Sequence, residues 1–482
     1  MAGFTRSKSI DMTTGPLFGK ILRFILPLIV TNLLQMCYNA ADIMIVGLSD
    51  NPDAVGAVGS TSAFLHLITN IFIGFSVGAD VVVARFIGAR DEKATSRAVH
   101  TAVCMSVLFG LLGGVVGIAL AKPILGAMGY SGNLLHYGLR YAYIYLACMP
   151  FLALTNFLCA ILRAKGDTQT PLFVLAGTGL LNVLLNLFFV LVVGLSVEGV
   201  AIATALSNVA SSCLLWRHLS KENDATRLSF SGLRMSRDAF LEILHIGFPA
   251  GIQSAFFSLS NIIIQSSVLQ VNDALVPAGS AYAPVIKGDS ATNSLESFMF
   301  SALGAVMNAA SAFTGQNVGT RDYRRVRRVL GHVCLISALI ALVMSGVFML
   351  LREPLLSLYG VTDSSDPLAK IAFETAMTRV WHKWPAFVIF AIMNSSAGVL
   401  RGLGKSTTAA VTSLVGTCLL RVVWIYTVFR ALKTLNVIYL SYPISWFLTG
   451  AVFLVTVLLL LRKKIRETDR AAEGELLADG QA

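Results

Sequence analysis

About a dozen times along this chain an apolar run reaches the ~20 residues that a helix needs to cross the hydrocarbon core of a bilayer. In lipid, such a run satisfies its own backbone polar groups only as a helix or as part of a closed barrel. Barrel strands would alternate apolar and polar residues over ~10-residue segments, and these runs do not. Only 13% of the 482 residues are charged and 55% are hydrophobic, whereas a soluble chain carries about 25% charged residues. The expected fold is all-α and polytopic. Spans fall at 21–48, 56–86, 96–121, 134–160, 170–195 and 198–218, then at 239–268, 279–317, 328–351, 370–399, 407–430 and 436–461.

Three polar stretches punctuate the spans. Residues 1–20 form a leader with Arg6, Lys8 and Asp11, and the first span behind it is too long for a cleavable signal. Residues 219–238 form a charged connector, and 462–482 form a charged, then acidic tail expected to be disordered. The net charge of +11 suits loops that touch anionic lipid better than a nucleic-acid partner. Basic residues gather in alternate loops: Arg85, Arg90, Lys93 and Arg97; Arg163 and Lys165; the connector; Arg321 to Arg328; Arg401 and Lys405; and the tail. The intervening loops hold mainly acids such as Asp50, Asp53, Glu198 and Asp363. Both termini are therefore expected in the cytoplasm. The seven cysteines lie scattered through spans without paired spacing and read as small buried residues. The seven histidines show no metal-ligand spacing.

The two halves repeat. Pro27 and Asn39 correspond to Pro249 and Asn261 at an offset of 222 residues. Ile87-Gly88-Ala89-Arg90-Asp91 corresponds to Val318-Gly319-Thr320-Arg321-Asp322 at 231, and Leu162-Arg163-Ala164-Lys165-Gly166 to Leu400-Arg401-Gly402-Leu403-Gly404 at 238. Three ordered matches with a slowly growing offset indicate a duplicated six-helix unit. Because six is even, the copies enter from the same side and form parallel repeats. The expectation is an N-terminal lobe over 21–218 and a C-terminal lobe over 239–461, pseudo-symmetric around a central cleft.

The first span carries Asn32, Gln35, Asn39 and Asp42 at spacings of three, four and three, one stripe on a helix. A carboxylate within a bilayer costs roughly 2.5–3.5 kcal/mol on insertion scales, so it faces a partner or a wet cavity. The alternative is a helix-end acid that reaches the outer surface. The stripe leading to Asp42 favours a functional role.

The chain resembles the bacterial branch of the multidrug and toxic compound extrusion family over roughly residues 15–460. The resemblance rests on Tyr38-Asn39-Ala40-Ala41-Asp42, Ala84-Arg85-Phe86-Ile87-Gly88-Ala89, Leu162 to Thr168, Gly199 to Thr204, Gly315-Gln316-Asn317-Val318-Gly319 and Leu400 to Ser406, in that order within a duplicated chain. It implies a twelve-helix antiporter that expels organic, often cationic compounds in exchange for inward sodium ions or protons. Carried over residue by residue, the coupling-ion site is Asp42, Asn156, Asn182, Asn186 and Thr204. Asn182 and Asn186 sit four apart on an otherwise apolar face, and with Asp42 and Thr204 they offer only hard oxygen ligands. That set suits a sodium ion or a carboxylate that takes a proton, and the same amides could instead only join helices. Asn156 lies about 10 Å along its helix from Arg163, near the cytoplasmic side. The family often has an acid where Asn186 stands, so the lobe reads as holding one intramembrane carboxylate, which favours protons slightly.

In the second lobe the Asp42 position becomes Ile264, although Ser254, Ser258, Asn261 and Gln265 keep an uncharged stripe. Glu296 stands near Lys287 and Asp289, either functional or paired locally at a cleft mouth. Arg379, His382 and Lys383 with Trp381 and Trp384 read as interface anchors, because Lys383 lies ~25 Å up its helix from Leu400. Arg421 is deeper, and either pairs with an acid or lines the cleft. Candidate cleft residues are Gln35, Met36, Asn39, Phe157, Gln253, Phe257, Asn261, Gln265, Glu296 and Arg421. Phe64, Phe188, Phe189, Phe256, Met299 and Phe300 add adaptable apolar surface, with core packing or lipid contact as the plainer role for such side chains. Cargo is expected to be small and amphipathic, lipid to be the only other partner, and the chain to be monomeric and without a cofactor beyond the coupling ion. No nucleophile–base pair, metal motif or nucleotide loop marks an enzyme. A lipid-linked precursor flippase of the wider superfamily is the alternative, kept open by Arg379, Lys383 and Arg421. A channel fits a duplicated chain with a lone coupling acid less well.

Overall fold

The computed structural model describes residues 9–49, 54–128, 131–276 and 283–479, and leaves the side chains at 60, 63, 472 and 474–479 undescribed. Arg6, Lys8, Asp50 and Asp53, named above for topology, lie outside the described residues. The described chain is helical. In order come α1 (Leu17–Val46), α2 (Ala54–Gly88), α3 (Glu92–Ala127), α4 (Gly132–Ala147), α5 (Met149–Lys165), α6 (Gln169–Leu187) and α7 (Val197–Ser220). Then follow α8 (Arg237–Leu275), α9 (Pro284–Gly319), α10 (Tyr323–Leu350), the short α11 (Arg352–Ser357), α12 (Pro367–Lys383) and α13 (Phe387–Gly402). The chain closes with α14 (Ser406–Ser413), α15 (Leu420–Trp424), α16 (Arg430–Leu432) and α17 (Leu435–Asp479). Wide π turns at Leu414–Leu419 and Ile425–Phe429 join α14, α15 and α16 into one span.

Among the described residues, ten helical segments are long and apolar enough to cross a membrane, and two bent pairs bring the number to twelve. The pairs are α4 with α5, bent by 49°, and α12 with α13, bent by 53°. Each bend has a proline beside it, Pro150 at the start of α5 and Pro385 between α12 and α13. Proline removes a helical donor and crowds the preceding turn. The two prolines are 235 residues apart, between the offsets of 231 and 238 on either side, so the bent span is itself duplicated.

The repeated motifs fold alike. Arg90 and Arg321 both adopt a left-handed backbone, φ 55° and 58°. The Asp after each caps the next helix: Asp91 accepts from the Ala94 amide at 2.9 Å and Asp322 from the Arg325 amide at 2.8 Å. Gly166 and Gly404 close α5 and α13 at φ 97° and 76°. In each case the amide of the following residue returns to the carbonyl five residues back, Asp167 to Leu162 and Lys405 to Leu400, both at 2.9 Å.

The described helices group into two compact units, but the division does not fall at the connector. Of the described residues, the first unit holds those within 1–15, 23–254 and 318–320, and the second those within 16–22, 255–317 and 321–482. The connector and the first half of α8 belong with the first unit for local reasons. Gly74 and Gly78 of α2 pack directly on Gly251 and Gly247 of α8, where a Cβ on either partner would run into backbone. Small residues spaced four apart on both helices permit this close crossing. The connector is also tied to α3, through Ser229 N donating to His100 Nε2 at 3.3 Å and Ser236 N to Thr101 Oγ1 at 3.0 Å. Lys165 clamps it through Glu222 and Asp224, both at 2.6 Å. Burial pushes the Asp224 carboxyl up, yet hydrogen bonds from Lys165 and Thr226 outweigh that and hold it below its ordinary value.

The tail differs from its expectation. Helix α17 continues through residue 479, so 462–479 is helical rather than disordered. Its Ala, Glu, Leu, Lys and Arg are strong helix formers. Lys464 pairs with Glu467 at 2.9 Å, and Arg324 of α10 reaches Asp469 at 3.1 Å.

Candidate functional site

In the first unit, α1 and α6 meet where a side chain is missing. The Tyr38 ring lies over Gly179, whose added Cβ would overlap it, and the Tyr38 hydroxyl donates to the Ala176 carbonyl at 3.1 Å. One turn on, α1 presents Asp42. Two turns on, α6 presents Asn186. Asn186 Nδ2 donates to Asp42 Oδ1 at 2.5 Å and to Asn182 Oδ1 at 3.2 Å. Asn182 Nδ2 in turn donates to Thr204 Oγ1 of α7 at 3.3 Å. Asp42, Asn186, Asn182 and Thr204 thus form one polar chain across three helices. Asn182 and Asn186 are 6% and 0% exposed.

One atom in this chain is unsatisfied. Asn186 Oδ1 is buried and has no hydrogen-bond partner. A buried amide oxygen without a donor costs about 1–3 kcal/mol, so it fits a site that receives a donor or a cation. Directly after it, α6 widens into a π turn at Phe188–Val192, a feature frequent at functional positions.

Other candidates separate from this chain. Asn156 donates its amide to the Leu152 carbonyl of its own helix at 2.9 Å, which satisfies it locally. Phe157 is fully buried in an aliphatic core with Val99, Leu158 and Leu162, so it packs rather than lines a cleft. Phe64 and Met299 are likewise core, at 4% and 1% exposure. Gln35 and Asn39 are exposed on α1, and Met36 is half-buried. Gln253 is buried and partnered, Phe257 half-buried, and Asn261 and Gln265 exposed on α8.

The first unit also holds a second carboxylate within a membrane-spanning helix, which corrects the count of one. Asp80 of α2 is 1% exposed, and Arg163 Nε lies 3.5 Å from its Oδ2. Its Oδ1 has no hydrogen-bond partner. Asp80 stands eight residues before the end of α2, in the run Val77-Gly78-Ala79-Asp80-Val81, where an acid among small apolar residues was the available sequence signal.

The second unit contains a dense charged cluster. Arg379 of α12 donates to Asp289 Oδ1 at 2.6 Å, to Glu296 Oε2 at 2.7 Å and to Asn293 Oδ1 at 2.7 Å. Lys383 reaches Glu296 Oε2 at 2.5 Å, and Tyr439 of α17 donates to Asp289 at 2.8 Å. All four charged side chains are under 5% exposed. Arg379 and Lys383 are therefore partners of buried acids, not interface anchors. Trp384 is fully buried, and Trp381 is exposed. The ~25 Å count from Leu400 fails because it assumes a straight helix, whereas α12 and α13 bend by 53°. Glu296 has two buried cations as partners, and Lys287 is not among them.

Arg421 of α15 lies apart from the acids. Its Nε donates to Ser445 Oγ at 2.8 Å, and its guanidinium sits 4.2 Å from the Tyr442 ring centre and 5.8 Å from that of Trp446. Lys383 Nζ is 3.8 Å from the same Tyr442 ring centre.

Comparison with known proteins identifies the family. The MatE family model matches the chain twice, over residues 27–188 and 249–427, beginning at the duplicated prolines Pro27 and Pro249. The probable multidrug resistance protein YoeA of Bacillus subtilis is 27% identical over 78% of this chain and 81% of its own length. The multidrug export protein MepA of Staphylococcus aureus is 23% identical over 52% of this chain, a match that spans 55% of that protein. Among solved structures, a MATE transporter in the bent conformation superposes with a TM-score of 0.86 at 20% identity, over 96% of this chain and all of the other. A MOP superfamily transporter from Pyrococcus furiosus, described as having a binding pocket of reversed polarity, gives 0.85 over 95% of this chain and 99% of its own. These structures share the fold. With both halves of the chain matched by the family model, this protein belongs to the MATE family of membrane transporters and is not an enzyme.

Proposed function

We propose that the protein is a secondary antiporter that exports small amphipathic organic compounds from the cytoplasm, driven by inward movement of a proton or sodium ion bound at Asp42. The relatives' descriptions as multidrug resistance and multidrug export proteins support the cargo class. The polar chain from Asp42 through Asn186 and Asn182 to Thr204, with its orphaned amide oxygen, carries the coupling-site reading.

The chain of contacts can switch with the charge on Asp42. With an ionised carboxylate, the Asn186 amino group donates to Asp42 and the amide oxygen has no donor. A protonated Asp42 becomes a donor itself, and rotation of the Asn186 amide would bring Oδ1 to accept from it. A sodium ion would use the same oxygens, with the Asn182 and Thr204 oxygens completing a hard donor set. Either event neutralises the charge on Asp42. It shifts the populations of inward- and outward-open states only by as much as the ion binds one state more tightly than the other. The other side chains of this site are uncharged, so a single positive charge neutralises it. In this reading the chain spans a bacterial plasma membrane with both termini on the cytoplasmic side, as the basic loops favour.

The test is efflux of a fluorescent cationic dye from proteoliposomes under an imposed proton or sodium gradient, for wild type and Asp42→Asn. Full gradient-driven efflux by Asp42→Asn would falsify the coupling role. A second reading, movement of a lipid-linked anion, is favoured by one observation, the cation excess around Arg421.

A further inference from the structure

Among the buried cations of the second unit, Arg379 and Lys383 pair with two buried acids, Asp289 and Glu296, and Arg421 shares the Tyr442 ring with Lys383. The pairing is unequal. Arg379 and Lys383 are within 2.7 Å of carboxylates, whereas Arg421 has no ion pair among the described residues. Its Nε is used by Ser445, and its Nη2 is buried with no hydrogen-bond partner. The side chain is 3% exposed. A guanidinium held away from water without a counter-ion costs several kcal/mol, and proximity to Tyr442 and Trp446 recovers only part of that.

An apolar cavity lies beside the span that carries Arg421, although Arg421 itself is not among the residues that line it. Cys418 and Val422, which bracket Arg421 in sequence, both line this cavity of about 310 Å³ between α8 and this span. Phe256, Ile263 and Val415 make its walls apolar, with the Ser260 hydroxyl as a polar exception. Deeper in the unit, Trp446 packs among Tyr442, Phe300, Phe387 and Phe390. The span itself is broken on both sides of Arg421 by the π turns at Leu414–Leu419 and Ile425–Phe429. Such turns leave backbone bonding looser and commonly mark ligand sites.

We propose that Arg421 is the anion-recognition residue of a second binding site, one that takes the carboxylate, sulfonate or phosphate of an amphipathic compound whose apolar body occupies the adjoining cavity. Nη2 supplies a charge-assisted hydrogen bond, and Asp289 and Glu296 hold Arg379 and Lys383 so that they do not compete for the ligand. The site widens the cargo of the proposed exporter to anions and zwitterions. It rests on the export reading only in calling the ligand cargo, since binding is measured without transport.

The experiment uses full-length protein in phosphatidylcholine nanodiscs and compares 1-pyrenebutyrate with its neutral analogue pyrenebutanol, each corrected for uptake by empty nanodiscs. Wild type should bind the anion more tightly than the alcohol by about tenfold or more, the value of one charge-assisted contact. Arg421→Gln should bring the ratio close to one, and Arg421→Lys should keep part of it. Equal affinities in wild type overturn the proposal even if the variants fail to fold, and an unaltered ratio in Arg421→Gln overturns it as well. Adding phosphatidylglycerol to the discs identifies the natural source. Displacement of pyrenebutyrate assigns the site to a lipid headgroup, and retention assigns it to a free amphipathic anion. Gradient-driven efflux of a cationic dye, measured separately, shows whether the exporter reading stands when this site fails, or the reverse.

Discussion

Replacing Glu296 by Gln is the sharpest perturbation of the second unit. Glu296 is fully buried and accepts from Arg379 Nε at 3.1 Å, Arg379 Nη2 at 2.7 Å and Lys383 at 2.5 Å. The amide keeps the shape and removes the charge. Lys383 then has no carboxylate within reach, and Arg379 keeps only Asp289. Breaking a buried pair by removing one partner costs about 3–5 kcal/mol, because the other charge stays behind. Glu296→Gln should therefore lose stability on that scale. Restoring the charge balance with Glu296→Gln plus Lys383→Met should recover more than half of it, since neighbouring substitutions of this kind are strongly non-additive. Thermal unfolding of the detergent-solubilised protein, followed by size-exclusion of the fluorescently tagged chain, reads both. A Glu296→Gln protein as stable as wild type, or a double variant no better than the single, would refute the view that this cluster is an interdependent ion network.

Other consequences follow from the same contacts. Gly179→Ala puts a methyl group into the Tyr38 ring, displaces α1 from α6 and should impair gradient-driven efflux. Gly177→Ala, with nothing within 4 Å of the new methyl group, should stabilise by up to about 1 kcal/mol through helix propensity; equal behaviour of the two in efflux and thermal assays contradicts the close approach. Gly78→Leu forces a side chain into the α8 backbone at Gly247 and should cost about 1–3 kcal/mol or more by overpacking, seen as a lowered unfolding temperature. Asn186→Asp places a second carboxylate beside Asp42 and should strengthen sodium binding, because added ligand charge raises cation affinity; unchanged sodium dependence of dye efflux would argue against oxygen coordination at this position.

Much of the architecture was legible because it is written locally. Apolar runs near 20 residues define the spans, and the repeated Gly-Ala-Arg-Asp and Gly-Thr-Arg-Asp turns report the duplication with their left-handed arginines. Asp42 could be singled out because acids are rare in such runs, whereas Asn182, Asn186 and Thr204 joined it only through the family resemblance. Their meeting with each other depends on Gly179 admitting the Tyr38 ring, which no periodicity announces. The charged cluster was illegible for another reason. Arg379 bonds Glu296 and Asp289 across 83 and 90 residues, and the bend at Pro385 defeats any count of depth along a straight helix. Asp80 was passed over because it sits in the same apolar run that defines α2. The boundary between units escaped because the glycine pairs Gly74–Gly78 and Gly247–Gly251, not the charged connector, decide what α8 packs on.

The central claim is that an ion at Asp42 drives export. Wild type and Asp42→Asn, reconstituted at equal density and checked for equal thermal stability, are compared for dye efflux under a proton gradient and then under a sodium gradient. The account predicts that wild-type efflux follows one of the two gradients and that Asp42→Asn, which keeps the shape but cannot carry the charge, loses that dependence. Gradient-driven efflux of the same size in Asp42→Asn would contradict it and move the coupling site away from the Asp42–Asn186 contact.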